Sequence, residues 1–339
     1  MRKIFFTAAL LAAPLAATAQ QPMPAKPVTP APAAAAKPAF VVPGQKEARE
    51  LAELVYNTWR ISVMRANETA WRGCTSLSRQ TKIRNSIVSM KGNFPSDYFR
   101  SQPEMPQLEN FRFVGALANV NKDTLAATYL GRVQVENGQP ADTAFVLQLV
   151  NERGKWKLDR TSFFNLSKLS KVRDRLAAQD LSVLQEQDGF QPYPAVPAAP
   201  AACKAPELIG KVFVDAPGRD IEMRINGLSE HEFSDVRRAD VVSGGLRRGS
   251  NTITYKIKNE SGKSHPAMAI GVFVMPETPG NHPVCVFDHI LDANDTAEGG
   301  SFTFDITNAH IASMNPQFTG EAPQPVHAVP LKKKPAAAK

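Results

Sequence analysis

The sequence predicts two domains: an α+β domain in which helices pack on a curved antiparallel sheet, followed by an all-β sandwich. In residues 141–164, apolar and polar residues alternate on both sides of a turn at 151–154, which is typical of a β-hairpin with one buried face. In residues 203–308, short β-rich runs are separated by Gly, Pro and Asn, as in a sandwich. With 339 residues, of which 43% are hydrophobic, the chain is long enough for two cores.

The first residues predict an exported protein. Arg2 and Lys3 precede an apolar run that leads to Ala17-Thr18-Ala19, a small-residue cleavage site. We therefore expect a signal peptide over residues 1–19 and a periplasmic or secreted mature chain. No other stretch offers about 18 uncharged apolar residues, so the sequence predicts no membrane span.

Three stretches rich in Pro and Ala divide the chain. Their composition cannot bury a core and favours extended conformations. We assign residues 20–43 and 191–202 as linkers and residues 316–339 as a disordered basic tail. The remaining segments are the α+β domain, residues 44–190, and the sandwich, residues 203–315.

The α+β domain begins with helices and continues with strands. Leu51, Val55 and Trp59 lie four residues apart and predict a helix from about residue 45. A second helix is predicted over residues 68–91, ending before Gly92, and the step Gly73-Cys74-Thr75 leaves open a division into two helices. Four strands and a further helix are predicted over residues 109–120, 123–136, 141–151, 154–164 and 165–189.

Helices followed by an antiparallel meander, with Gly-Lys-Trp-Lys-Leu-Asp at residues 154–159, resemble the cystatin-like cone of the nuclear transport factor two-like superfamily. The resemblance covers about residues 45–165 and implies a bent sheet wrapped around the long first helix. The chain differs from the usual pattern in having no evident strand between its helices. The resemblance also implies an open sheet face used for homodimerisation or docking, on which Phe113 and Phe163 would be contact residues.

The second domain has a weaker resemblance. The runs Ile225-Asn226-Gly227 and Leu246-Arg247-Arg248-Gly249-Ser250-Asn251-Thr252-Ile253 are similar to a pattern of galactose-binding-type jelly rolls. An immunoglobulin-like sandwich uses the same turn chemistry before a strand, so both topologies stay open.

Acid–base catalysis is not expected in the α+β domain. All six His lie at or after His231, whereas the family members that act as enzymes rely on a His or a pocket carboxylate. Asp97 and Asp159 are the carboxylates nearest to pocket positions. We expect Asp97 at a helix start and Asp159 on the solvent side of its strand. No catalytic residue is assigned, and the chain is predicted not to be an enzyme.

The three cysteines allow one disulfide in an exported chain. Cys203 and Cys285 share the predicted sandwich, so we pair them and leave Cys74 free, with Cys74 to Cys203 as the competing connectivity. His282, Cys285 and His289 have the spacing of metal ligands, but a bridged cysteine is not a ligand. We therefore expect neither a metal nor a cofactor.

These features favour an exported protein of the bacterial cell envelope that binds or assembles without catalysis, with an envelope protein or a glycan as its partner. The formal net charge of +8 is unevenly spread, with +5 in residues 40–190 and −4 in residues 203–320, but neither half is basic enough to predict a nucleic-acid partner. One alternative is carbohydrate binding through the sandwich, which requires exposed aromatic rings on a concave face. The other is a small-molecule carrier or enzyme that uses the cone pocket, which requires a polar group buried among apolar ones.

Overall fold

The structure is a computed structural model that describes residues 40–103, 105–134, 140–167, 169–259, 265–293, 295 and 297–327. All of these residues belong to one compact unit, residues 36–330. The predicted signal peptide, most of the first linker, the turn at 137–138 and the end of the basic tail lie outside the described residues. Within the described part, no helix is both long and apolar enough to cross a membrane.

Four helices open the first half of the chain: α1 (Gln45–Met64), α2 (Glu68–Cys74), α3 (Leu77–Ser89) and α4 (Ser96–Ser101). The side chains of Asn67 and Ser76 cap α2 and α3 by accepting backbone N–H groups of the first turn. The helical stretch predicted over residues 68–91 is divided into two helices, because Thr75, in the step where the sequence left a division open, has extended backbone.

The first sheet has five antiparallel strands in sequence order. They are β1 (Phe40–Val41), β2 (Arg112–Asn119), β3 (Thr124–Gln134), β4 (Pro140–Glu152) and β5 (Lys155–Asn165). The four strands predicted from alternation are confirmed, and β1 adds a short strand beside β2. The last strand, β5, forms one edge of the sheet.

Both faces of the first sheet are covered. On one face, the helices α1 to α4 share a core with Tyr129 and Phe145. On the other face, the chain after β5 forms α5 (Ser170–Ala177) and α6 (Ser182–Glu186), which pack on Leu117 and Val146. The helix predicted over residues 165–189 is therefore two short helices, and they bury the face that was expected to be open for docking.

The second sheet has seven strands: β6 (Gly210–Ile225), β7 (Ser229–Val241), β8 (Gly249–Asn259), β9 (Met268–Val274), β10 (Val284–Leu291), β11 (Gly299–Ile306) and β12 (Val326–His327). Their order is β11-β8-β6-β9-β10-β12, with β7 on the remaining edge of β6. All pairings are antiparallel except that of β10 with the two-residue β12. A short helix, α7 (Asn308–Ala312), follows β11.

The hairpin of β6 and β7 bends sharply in its middle. Gly218 and Asp235 have positive φ angles of 67° and 45°, and the Gly218 N–H donates to Asp235 Oδ1 at 2.7 Å. After the bend the two ends of β7 approach each other, since His231 Nδ1 lies 3.7 Å from Asp240 Oδ2. The bend lets β8 and β9 share one edge of β6, and a single core collects side chains from β6 to β11.

The segment between the sheets lies against the first half. The Gln148 side chain donates to the Gln191 carbonyl at 2.8 Å, and the Thr124 hydroxyl donates to the Tyr193 carbonyl at 2.5 Å. Farther along, Asn85 of α3 accepts the Cys203 N–H at 3.0 Å and donates to the Ala201 carbonyl at 2.8 Å. Backbone polar groups of this Pro/Ala-rich stretch are thus satisfied by buried side chains.

Candidate functional site

Four aromatic residues form a row across the first sheet on the side of α1. Phe113, Tyr129, Phe145 and Phe163 are successive partners in the register of β2, β3, β4 and β5. Phe113 and Tyr129 meet edge to face with centroids 5.3 Å apart, and Phe145 and Phe163 stack with centroids 4.4 Å apart. The two predicted contact residues are therefore the two ends of one aromatic row.

The two ends of this row differ in exposure. Phe113 is only partly exposed and packs on the core beneath α1. Phe163 is 46% exposed although its inner face rests on Phe145. Both residues lie on the face of the sheet that packs against α1. They do not lie on the opposite face, which α5 and α6 cover. Of the two, Phe163 is the one that presents its ring to solvent.

An apolar depression of about 470 Å³ lies beside Phe163. Its other apolar walls are Val133 of β3 and the loop residues Pro103, Met105 and Pro106. The loop is held in place from α1, since the Tyr56 hydroxyl donates to the Pro106 carbonyl at 2.8 Å and Arg60 Nε donates to the Met105 carbonyl at 3.0 Å. The depression is therefore preformed, and among the described residues none that lines it is charged.

The depression adjoins an open sheet edge. In the described residues, β5 pairs with β4 along its length, and its other edge is bridged only at Leu158, by Thr75. Residues 160–165 thus present backbone donors and acceptors outward, beside the exposed ring of Phe163. An unpaired strand edge can add a further strand. Residues 160–165 of β5 therefore combine an open strand edge with the apolar depression beside Phe163.

The two candidate carboxylates have structural partners. Asp97 accepts the Asn93 N–H at 2.6 Å and pairs with Arg100, and these contacts hold the pKa of Asp97 below its usual value. The expectation that Asp159 faces solvent is wrong. Its side chain is 7% exposed and accepts the hydroxyl hydrogen bond of Ser76, the cap of α3. Asp159 is the extra residue of a β-bulge, because Leu158 pairs with Leu149 whereas residue 160 pairs with residue 148.

The first core contains polar atoms without hydrogen-bond partners. In the described part of the chain these include the indole N–H groups of Trp59 and Trp71 and the hydroxyl of Tyr98. The guanidinium of Arg79 lies 4.8 Å from the centre of the Trp59 ring. Burial raises the pKa of Tyr98, so its hydroxyl stays neutral. None of these residues lines the Phe163 depression.

All three cysteines are free thiols, so the predicted bridge between Cys203 and Cys285 is absent from the structure. Cys203 Sγ lies 3.4 Å from Ser89 Oγ in the buried contact with α3. Cys285 Sγ donates to the Phe287 carbonyl at 3.2 Å instead. Burial, with the Asp288 charge, raises the pKa of Cys285 to about 12. The two thiols therefore have separate partners. The alternative bridge from Cys74 is absent as well.

The metal-like spacing around Cys285 does not form a cluster. In the described residues no group of three or more His, Cys, Asp or Glu side chains is placed to hold a metal ion. His289 is buried against the rings of Tyr255 and Phe302. Asp288 instead pairs with His327 of β12.

A second depression, of about 690 Å³, lies on the outer face of β6, β7, β8 and β11. Charged side chains dominate its walls, and several are paired with one another or with neighbours, as Arg224 is with Glu230 and Glu222 with Lys258. Tyr255 contributes to the lining, but its ring is buried. No described lining residue therefore presents an exposed aromatic ring for a sugar to stack on.

Ser229, His231 and Asp240 have the arrangement of a nucleophile, a base and an orienting carboxylate. Ser229 Oγ lies 2.7 Å from His231 Nε2, and His231 Nδ1 lies 3.7 Å from Asp240 Oδ2. Ser229, however, is 0% exposed, and its hydroxyl oxygen accepts the Ser243 N–H at 2.7 Å. A substrate cannot reach this oxygen, so the three side chains hold the bent hairpin together.

The sequence did not predict the depression beside Phe163 or the cluster of Ser229, His231 and Asp240. Met105, Pro106 and Val133 approach Phe163 from elements distant in sequence, and no local pattern marks that encounter. The Ser229–His231 pair was detectable as two polar residues at alternate strand positions. Its carboxylate, Asp240, reaches it only through the bend at Asp235, which alternation does not reveal.

Comparison with known proteins adds no relative: no protein-family model, curated protein or solved structure matches this chain.

Proposed function

We propose that the chain is an exported, non-catalytic binding protein of the bacterial cell envelope that captures an extended segment of a partner protein at the edge of β5. The observation that carries the proposal is the position of Phe163, which is half exposed on an edge strand beside a preformed apolar depression, where no described strand pairs with the outer edge of residues 160–165. Export is inferred from the signal-like residues 1–19.

Strand addition explains why an open edge and a depression lie together. The backbone of an added strand hydrogen-bonds to the edge and supplies affinity, while its alternate side chains enter neighbouring pockets and supply specificity. The lining residues that the structure describes around the Phe163 depression carry no charge, so the partner segment has apolar residues at alternate positions. The loop anchored by Tyr56 and Arg60 is already in place, which lowers the ordering cost of binding.

In this proposal the first half is a cone of the nuclear transport factor two-like kind and the second half is a β-sandwich. The placement of α1 against the sheet supports the cone, and the bent β6–β7 hairpin around one core supports the sandwich. We propose binding and not catalysis because both candidate carboxylates have structural partners: Asp97 bonds within the first turn of α4, and Asp159 of β5 accepts the hydrogen bond of Ser76, the cap of α3. The open-face homodimer is not part of the proposal, since α5 and α6 occupy that face.

The experiment uses synthetic ten-residue peptides with apolar residues at alternate positions, arrayed and incubated with the full chain. Peptides that bind are then measured in solution by fluorescence anisotropy. Phe163→Asp is expected to weaken their binding at least about tenfold, because it places a charge in an apolar contact. Leu54→Asp is the matched control, since Leu54 is 67% exposed on α1 and does not line the Phe163 depression.

Two outcomes would contradict the proposal. One is an array without binders. The other is peptide binding that Phe163→Asp and Leu54→Asp leave equally strong. An oligosaccharide that binds the full chain and is lost on Glu222→Ala, with no peptide bound, would instead favour the glycan alternative at the charged depression of the second sheet.

A further inference from the structure

The open part of the β5 edge is closed at one end by the chain between α2 and α3. The Ser76 N–H donates to the Leu158 carbonyl at 3.0 Å, and Arg79 Nη1 donates to the Asp159 carbonyl at 3.3 Å. No described strand pairs with the outer edge of the six residues that follow, 160–165. Six residues of strand span about 20 Å. The edge therefore accepts a short segment that cannot extend past Asp159.

The direction of an added strand follows from the first sheet. All neighbouring strands of that sheet are antiparallel, and antiparallel pairing is slightly more stable per residue than parallel pairing. A strand that is antiparallel to β5 starts beside Asn165 and runs toward Arg160. Its carboxyl end therefore arrives at the closed end of the edge, because Ser76 and Arg79 occupy the positions beyond.

The closed end of the edge presents a positive charge. Arg160 is exposed, and among the described residues no carboxylate forms an ion pair with it. The Asp159 carboxylate is only 7% exposed and accepts the hydrogen bond of Ser76. A guanidinium binds a carboxylate through two parallel hydrogen bonds, which are stronger than hydrogen bonds between neutral groups. The end of the edge is therefore suited to a carboxylate.

We propose that the β5 edge captures the C-terminal end of a partner protein, whose terminal carboxylate pairs with Arg160. The inference rests on the proposed function and names the part of the partner that binds. Directly opposite residues of an antiparallel pair place their side chains on the same face. When the last residue of the segment lies opposite Arg160, the second and fourth residues from its end lie opposite Thr161 and Phe163. These two residues of the segment are apolar, because they share the face of the Phe163 depression.

The test uses the ten-residue peptides with alternate apolar residues, each arrayed once through its N-terminus and once through its C-terminus. Binding by the full chain is expected only where the carboxyl end is free. A selected peptide is then measured by fluorescence anisotropy as the free acid, as the C-terminal amide, and with three serines added after its last residue. The amide lacks the charge, and the added serines collide with the chain between α2 and α3. Each change is expected to weaken binding about fivefold or more.

Variants of the full chain assign the effect to Arg160. Arg160→Gln should weaken binding of the free acid to the level of the amide and leave binding of the amide unchanged. Arg153→Gln, at an exposed position in the turn before β5, makes the same change in net charge and should alter neither affinity.

Two results would overturn this proposal alone, because peptide binding at the edge would remain. One is a free acid that binds no more tightly than the amide or the extended peptide. The other is a difference between acid and amide that Arg160→Gln leaves intact. An array in which neither orientation yields a binder would overturn the proposed function as well.

Discussion

Phe145 and Phe163 stack across β4 and β5 with their ring centroids 4.4 Å apart and their planes inclined by 8°. Phe145 is fully buried and also contacts Tyr56 of α1 and Phe111 edge-on or tilted. The exposed ring of Phe163 thus rests on a ring that the core holds rigidly. A contact surface fixed in this way loses little conformational freedom when a partner binds.

The two stacked rings are expected to differ in their effect on stability. Phe145→Ala should lower the free energy of unfolding by about 3–5 kcal/mol, because it leaves a cavity in the core. Phe163→Ala should lower it by only about 1 kcal/mol, the typical value of one aromatic pair. Urea unfolding followed by circular dichroism measures both values. Equal losses would mean that Phe163 is a core residue and not a contact residue.

Asn85 of α3 is expected to stabilise the contact between the first half of the chain and the segment that leads into the second sheet. Asn85→Ala leaves the Cys203 N–H and the Ala201 carbonyl without their partners in a buried contact. The free energy of unfolding should fall by about 2 kcal/mol. Ser86→Ala, at the exposed neighbouring position of α3, is the matched control and should change it by less than about 0.5 kcal/mol. A loss no larger than that of the control would show that the two halves do not depend on this contact.

Titration of the thiols distinguishes three free cysteines, as in the structure, from the disulfide between Cys203 and Cys285 that the sequence led us to expect. With three free cysteines, the chain unfolded in urea without reductant should release three equivalents of chromophore from a thiol reagent. A bridge between Cys203 and Cys285 would reduce the count to a single thiol. In the folded chain Cys285 should react slowly near pH 8, because burial raises its pKa to about 12.

His310 is expected to make stability depend on pH. Its Nδ1 accepts the Thr307 N–H at 3.1 Å in the cap of α7, which requires the neutral ring. Burial lowers the pKa of His310 below 6.5. The unfolded chain therefore binds the proton first, so the contribution of His310 is complete above about pH 6.5 and is lost as the pH falls through the lowered pKa.

Urea midpoints at pH 7 and pH 5 test this expectation. His310→Gln keeps a side-chain acceptor for the cap and should lose less stability on acidification than the unchanged chain. His282→Gln, at an exposed position, should lose as much as the unchanged chain does. An identical pH dependence in all three proteins would contradict the assignment of a neutral His310.

Strands β4 and β5 were predictable because their alternation is a local property of residues 141–164. The burial of Asp159 was not, because a bulge against β4 turns it toward Ser76, a residue far away in sequence. A single extra residue in one strand reverses the expected facing of a side chain. The alternation can be read from the sequence, but the position of the β-bulge cannot, because it depends on how β5 pairs with β4.

The sequence does not mark β7 as a strand, for a related reason. Its buried positions at Ser229, His231 and Phe233 include two polar residues, so the alternation does not read as apolar and polar. The helices over the second face of the first sheet were predicted as one helix, but that face was expected to be open. The apolar character of Leu117 and Val146 fits a docking face as well as an internal layer, and only the tertiary structure distinguishes the two.

Hydrogen exchange of the β5 backbone tests the central claim most directly. With a saturating array-selected peptide, the outward amides of residues 160–165 should exchange at least about tenfold more slowly, because strand addition gives them hydrogen-bond partners. The protection should disappear in Phe163→Asp and persist in Leu54→Asp. Unchanged exchange at residues 160–165, with protection elsewhere in the chain, would contradict capture of a partner at this edge.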